Sequence, residues 1–256
     1  MLIATDIGNS SITIGYFTAR GLIVQRIPTF PIMNPAEYRE LLHTFIKENN
    51  IEKGEGASII SSVVSSHTGI FAEAIEGLPG QGKGASLLVT HELSGIGFRI
   101  PHPDKLGTDR IANAVAAFSL VRKPVAVADL GTATTLTIVD SNGDIMGGAI
   151  MPGIGLMNEA LGTRTAKLMK VGLRPPDAAL GVDTEGCILS GLLFGTAGAI
   201  ERILAEIETE TSTSYEMILT GGQSALVGPF IGRAHMVRPD LTLEGLKILY
   251  EKNRSE

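Results

Sequence analysis

The sequence predicts an α/β protein built from two duplicated halves. Two stretches and the pattern between them predict it. The first stretch is Pro124 to Pro152, P-V-A-V-A-D-L-G-T-A-T-T-L-T-I-V-D-S-N-G-D-I-M-G-G-A-I-M-P. Val125 to Ala128 is an apolar run that reads as a buried strand ending at Asp129. Leu130-Gly131-Thr132 turns the chain, β-branched Thr134 to Val139 returns it, and Asn142-Gly143 opens a hairpin to a third strand from Asp144 to Ile150. The second stretch echoes it at the N-terminus. Leu2 to Thr5 leads into Asp6, the turn Ile7-Gly8-Asn9-Ser10-Ser11 follows, and Ile12-Thr13-Ile14-Gly15-Tyr16 returns. Between and after these hairpins, strand patterns alternate with helical ones.

Each hairpin sets a carboxylate beside a turn of small, N–H-rich residues. Such a turn can cradle a phosphate while the aspartate faces a cation. Two such turns, one per half, predict a nucleotide held between the halves. Read singly, either is equally a meander with Asp, Gly and Thr in an ordinary turn.

At 256 residues and 44% hydrophobic content the chain is long enough to bury a sizeable core. A net charge of -6 argues against a nucleic-acid surface. The single cysteine, Cys187, excludes an internal disulfide and fits a reducing, cytoplasmic setting; its neighbours Ile188 and Leu189 predict a buried thiol. No run reads as a bilayer span, and Asp6 interrupts any signal pattern, so no membrane association is expected.

In chain order, Gly21 to Arg26 is a third strand. Asn34-Pro35 starts a helix with Leu41, Leu42, Phe45 and Ile46 on one face. Ala57 to Val64 is a strand with a small-residue tail, His67 to Leu78 a helix, Pro79 to Gly84 with Lys83 a plain connector, and Ser86 to Thr90 a strand. A helix follows Gly107-Thr108-Asp109-Arg110, its apolar face Ile111, Ala114, Val115 and Phe118. Lys123-Pro124 marks the junction of domains 1–123 and 124–256. After the second hairpin come a helix from Gly155, a break at Pro175-Pro176, and a long helix from Glu185 to Glu208. Tyr215 to Leu219 is a strand running into Thr220-Gly221-Gly222, and Leu241 to Tyr250 is a helix with Leu243, Leu246 and Leu249 inward.

Three features bear on chemistry. Asp109 with Arg110 at a helix start fits a base beside an anion site, and Thr108 or Asp109 as a simple N-cap explains the same residues. Gly186, Gly191, Gly195 and Gly198 permit close packing, against a partner subunit or within the chain. His102 between prolines reads as surface, and His43, His67, His91 and His235 lack metal-ligand spacing.

Seven motifs in order, D-I-G-N-S, P-D-K-L-G-T-D-R, D-L-G-T-A-T-T, G-G-A-I-M-P-G, G-V-D-T, T-G-G and L-T-L-E-G-L, resemble those of type III pantothenate kinases. The resemblance spans essentially the whole chain. It implies the actin-like ATPase superfamily fold shared with sugar kinases: two duplicated, ribonuclease H-like domains of mixed sheets flanked by helices, with the active cleft between them. It implies ATP-dependent phosphorylation of pantothenate, the first step toward coenzyme A, by a homodimer.

The resemblance also implies roles. Asp6, Ile7, Gly8, Asn9, Ser10, Ser11, Ile12 and Thr13 would bind ATP together with Thr132, and Asp6 would hold Mg²⁺ through water. Asp129 would bind K⁺ or NH₄⁺. Gly107, Thr108, Asp109 and Arg110 would bind pantothenate, with Asp109 as general base and Thr184 as a further contact near the subunit interface. Gly221 and Gly222 sit where the adenosine motif lies. The sequence departs from the pattern at Ile100, where many members carry a tyrosine that helps bind pantothenate. Two other readings stay open: a regulatory paralogue on the same fold, and, from Ile100, a kinase of another small hydroxyl substrate.

Overall fold

The computed structural model describes residues 1–51, 56–82, 84 and 86–254. Lys83 of the predicted connector lies outside them. The elements in chain order are β1 (Leu2–Ile7), β2 (Ser11–Thr18), β3 (Gly21–Pro28), α1 (Pro35–Glu48), β4 (Ala57–Ser62), α2 (Ser65–Glu76), β5 (Ser86–Leu88), α3 (Thr108–Val121), β6 (Val125–Leu130), β7 (Ala133–Val139), β8 (Ile145–Pro152), α4 (Ile154–Arg164), α5 (Thr184–Thr211), β9 (Glu216–Thr220), α6 (Ser224–Val227), β10 (Met236–Val237) and α7 (Leu241–Asn253).

The first sheet runs β3-β2-β1-β4-β5, with β1 antiparallel to β2 and parallel to β4. The second runs β10-β9-β6-β7-β8, with β6 antiparallel to β7 and parallel to β9. Numbered within its own half, each sheet has the order third-second-first-fourth-fifth. The duplication extends to single residues. Asp6 and Asp129 each occupy the last position but one of their strand. In the first turn Gly8 N–H donates to the Ser11 carbonyl at 3.0 Å; in the second Gly131 N–H donates to the Ala133 carbonyl at 3.1 Å.

In the first unit α1 and α2 cover one sheet face. Ile3, Ile7, Ile12, Ile14 and Tyr16 from the strands meet Tyr38, Leu42 and Ile46 of α1 and Phe71 and Ile75 of α2. The predicted start of α1 is a capping box: Asn34 Oδ1 accepts from the N–H of Ala36 and Glu37, and Glu37 Oε2 accepts from the N–H of Asn34. In the second unit Ala126, Ala128, Leu136 and Ile138 pack on Leu193, Ala197, Ile200 and Leu204 of α5.

The two compact units are interleaved along the chain. One comprises Met1–Gly95, Pro101–Ala116 and the chain from Thr242; the other comprises Ile96–Ile100 and Ala117–Leu241. They therefore do not follow a single cut at Lys123-Pro124. The C-terminal helix α7 returns to the first unit, where Leu243 lies over Gly15, Lys247 lies over the Phe17 ring, and Thr242 Oγ1 donates to Asn113 Oδ1 at 2.8 Å. Apolar patterning gives α7 an inward face but does not say which sheet receives it.

Other predicted strands and helices form at the expected places, with ends shifted by one to three residues; β10 was not predicted. Two expectations are corrected. The α5 helix, with a stretch of mean hydropathy 1.5, is long and apolar enough by length and composition to cross a membrane. Its small residues hide this in a search for unbroken apolar runs, and its buried face, Ile188 to Leu204, packs within the second unit. Cys187 is exposed, because it lies one position before the inward-facing Ile188 and Leu189; its Sγ approaches the Gly181 carbonyl at 3.3 Å.

Candidate active site

The first unit gathers most of the predicted site residues. The parallel register pairs Asp6 with Ser61 across β1 and β4. Ser61 Oγ donates to Asp6 Oδ1 at 2.9 Å and lies 2.9 Å from Thr108 Oγ1, which accepts the Ser62 N–H at 3.0 Å. An ionised carboxylate only accepts and a hydroxyl has one proton, so the directions are fixed. Ser62 N–H gives to Thr108, Thr108 to Ser61, and Ser61 to Asp6; the Thr108 approach to the Ser62 carbonyl, at 3.3 Å, is longer. Sequence reasoning missed Ser61. Its only trace was the small-residue tail of β4.

Thr108 thus spends its hydroxyl on β4 rather than on a cap. The α3 helix opens after Gly107, whose carbonyl accepts from Arg110 and Ile111. Asp109 stands in its first turn, with Oδ1 accepting the N–H of the adjacent Arg110 at 2.8 Å. That is not the reach of an N-cap, which bonds two or three residues on. The Asp109 carboxylate folds back over Gly107, where any Cβ would overlap it. Burial pushes the Asp109 carboxyl above its ordinary value, against the pull of the Arg110 N–H and guanidinium. Burial also lowers Arg110, which Asp109 offsets.

Beside these, Gly8 begins the first turn, and Asn9, Ser10 and Ser11 are exposed. Ile7 and Ile12 are buried in the core and fix the two strands that carry the turn; Thr13 pairs with Asp6. The backbone of this turn, not the isoleucine side chains, is what faces outward.

In the second unit, Asp129 pairs in register with Thr220. Gly221 has φ +86°, and a Cβ there would overlap the Asp129 carboxylate, so the Thr-Gly-Gly corner must carry glycine at its second position. Thr132 sits at the tip of the second turn, its carbonyl held by Gly153 N–H at 3.0 Å. The buried Thr220 hydroxyl has no hydrogen-bond partner among the described residues. Paired residues of adjacent strands project to the same face, so this hydroxyl and the Asp129 carboxylate lie on one side of the sheet. Thr184 opens α5 beside its cap Asp183, on the wall of a cavity of about 590 Å³ that Leu161, Val182 and Cys187 also line.

Comparison with known proteins follows this layout. A profile of type III pantothenate kinases matches residues 2–206. The type III pantothenate kinase of Moorella thermoacetica is 34% identical over 260 residues, covering 99% of this chain and 100% of its own. The chain belongs to the type III pantothenate kinase family. Two solved structures support the fold alone. A Campylobacter jejuni protein described as a Baf family transcriptional activator has a TM-score of 0.63 at 18% identity, covering 99% of this chain and 100% of its own. MreB5 of Spiroplasma citri bound to ADP has a TM-score of 0.52 at 11% identity, covering 99% and 96%. The family motifs fall at strand ends and helix starts. Ile100 is half-buried and packs toward Gly147 of β8.

Proposed function

We propose that the chain transfers the γ-phosphoryl group of ATP to the primary hydroxyl of pantothenate, giving 4'-phosphopantothenate on the route to coenzyme A. Family membership over the whole chain carries this reading. In it, Asp109 accepts the hydroxyl proton. Its raised basicity supports that role, since a base near neutral works better than an ordinary carboxylate. Gly107 positions the carboxylate, Arg110 receives the pantothenate carboxylate, and Thr184 adds a contact. The N–H groups of the 8–11 turn and Thr132 bind the ATP phosphates. Asp6 holds Mg²⁺ through water, and Asp129 with Thr220 holds K⁺ or NH₄⁺; when bound, these cations supply neutralisation of phosphate charge. Catalysis is then mainly positioning and charge balance.

The homodimer and the cytoplasmic setting belong to the same proposal, as do 1–123 and 124–256 as the two halves of the sequence duplication, a division distinct from the interleaved compact units. A kinase of another small hydroxyl substrate is the second reading, favoured by Ile100, which cannot hydrogen-bond through its side chain. An assay of ADP release with and without pantothenate, in potassium and in sodium buffer, tests both. Pantothenate-dependent ADP, a phosphopantothenate mass and a clear loss of rate in sodium are expected. ATP binding without turnover at tens of millimolar pantothenate would overturn the substrate.

A further inference from the structure

The first phosphate turn is braced from behind by two buried side chains outside every family motif above. Thr29 follows β3 and is fully buried. Its Oγ1 donates to the Gly8 carbonyl at 2.7 Å, and its N–H donates to the Ser10 carbonyl at 3.2 Å. Its own carbonyl faces His67 Nε2 at 2.8 Å. A carbonyl only accepts, so His67 donates from Nε2, and its Nδ1 is buried without a partner among the described residues. The imidazole is held edge-to-face by Phe30 and Tyr38, with ring centroids 5.4 and 6.5 Å away.

Geometry gives this bracing a function. In a trans peptide the carbonyl and the following N–H point in opposite directions. Pinning the Gly8 and Ser10 carbonyls on Thr29 therefore turns the Asn9 and Ser11 N–H groups to the far side, on the exposed surface of the turn. Without the pins, both peptide planes can rotate, and the N–H groups lose their common aim. A buried polar nitrogen without a partner, as His67 Nδ1 is among the described residues, costs stability, and a leucine would fill the same space without it.

We propose that Thr29 and His67 are positioning residues for ATP: His67 fixes Thr29, and Thr29 presets the phosphate-facing N–H groups of the Gly8–Ser11 turn. This rests on that turn being the ATP phosphate site. The test compares Thr29→Val with Thr29→Ser, and His67→Leu with His67→Gln, in the full chain. Kinetics with ATP and pantothenate are read beside direct titration with ADP. Thr29→Val should weaken ADP and raise the KM for ATP by about fivefold to tenfold, the loss of one hydrogen bond, while the KM for pantothenate stays within about twofold. Thr29→Ser should be near the parent. His67→Leu should move in the same direction by less, with His67→Gln, which retains a donor, between it and the parent. Equal changes in both KM values, or equal defects in Thr29→Ser and Thr29→Val, would reduce the pair to packing and overturn the proposal. If Thr29→Val does not fold, the His67 pair decides by the same criteria. A parent protein that binds no ADP would instead remove the ATP reading of the turn.

Discussion

Asp109 is a carboxylate whose surroundings make it harder to ionise, and the consequence differs for stability and for chemistry. Its folded pKa lies above the ordinary 3.8 because of burial. The native state therefore binds the proton more tightly than the unfolded chain. Stability falls as pH rises from the unfolded to the folded value, and the penalty is fully present above the folded value. Asp109→Asn removes that penalty and keeps an oxygen for the Arg110 N–H. The variant should unfold at neutral pH no more easily than the parent, and any advantage should vanish in acid. Turnover should nevertheless fall by roughly 10²–10⁴ if the carboxylate is the base. The parent's kcat/KM for pantothenate should decline, as pH is lowered, at a pH above that of an ordinary aspartate. Near-normal turnover, or a large loss of stability, would make Asp109 structural. A thermal melt and a pH–rate profile on the same preparations read both.

Among the elements, the end of β4 organises the first unit's site. Ser61 ties Asp6 to Thr108, and so ties the end of β1 to the start of the helix that carries Asp109. Hydrogen bonds to charged groups are worth about 1.5–3 kcal/mol. Ser61→Ala should cost stability of that order and loosen the hold on Asp6, raising half-saturating Mg²⁺ several-fold; magnesium titration of turnover checks it. An unchanged magnesium requirement would confine Ser61 to packing. This link also shows what sequence reading reaches. The hairpins around Asp6 and Asp129 were legible because Asp, Gly and β-branched residues act on their immediate neighbours. Asn34 and its capping box were legible for the same reason. Ser61 was not, because its partners lie 55 and 47 positions away and are set by the parallel register of β1 and β4. The α7 helix shows the same limit: its leucines announce a buried face, but Gly15 and Asn113, which meet it, are distant in sequence. Thr29 and His67 belong to this class too.

At the scale of the molecule, α5 carries glycines that its own chain does not explain. Among the described residues nothing lies within 4 Å of a Cβ built at Gly191, Gly195 or Gly198, so packing against them is not the reason for these glycines. They recur at the spacing of one helical face, with Phe194 41% exposed beside them and Leu180 and Val182, 81% and 92% exposed, on the segment before the helix. Each glycine within a helix costs about 1 kcal/mol against alanine, and an exposed apolar face adds a solubility cost. A second copy of the chain laying its own helix on this face would use both, because glycine lets two backbones approach closely. Light scattering at micromolar concentration should then give twice the chain mass. Gly195→Glu should shift it to one chain mass while leaving far-ultraviolet helicity intact. Turnover should fall with the dimer, since Thr184 and its cavity lie at the N-terminal end of the same helix. A monomeric parent with full activity would sink the dimer. A dimer that persists in Gly195→Glu would move its interface to another face.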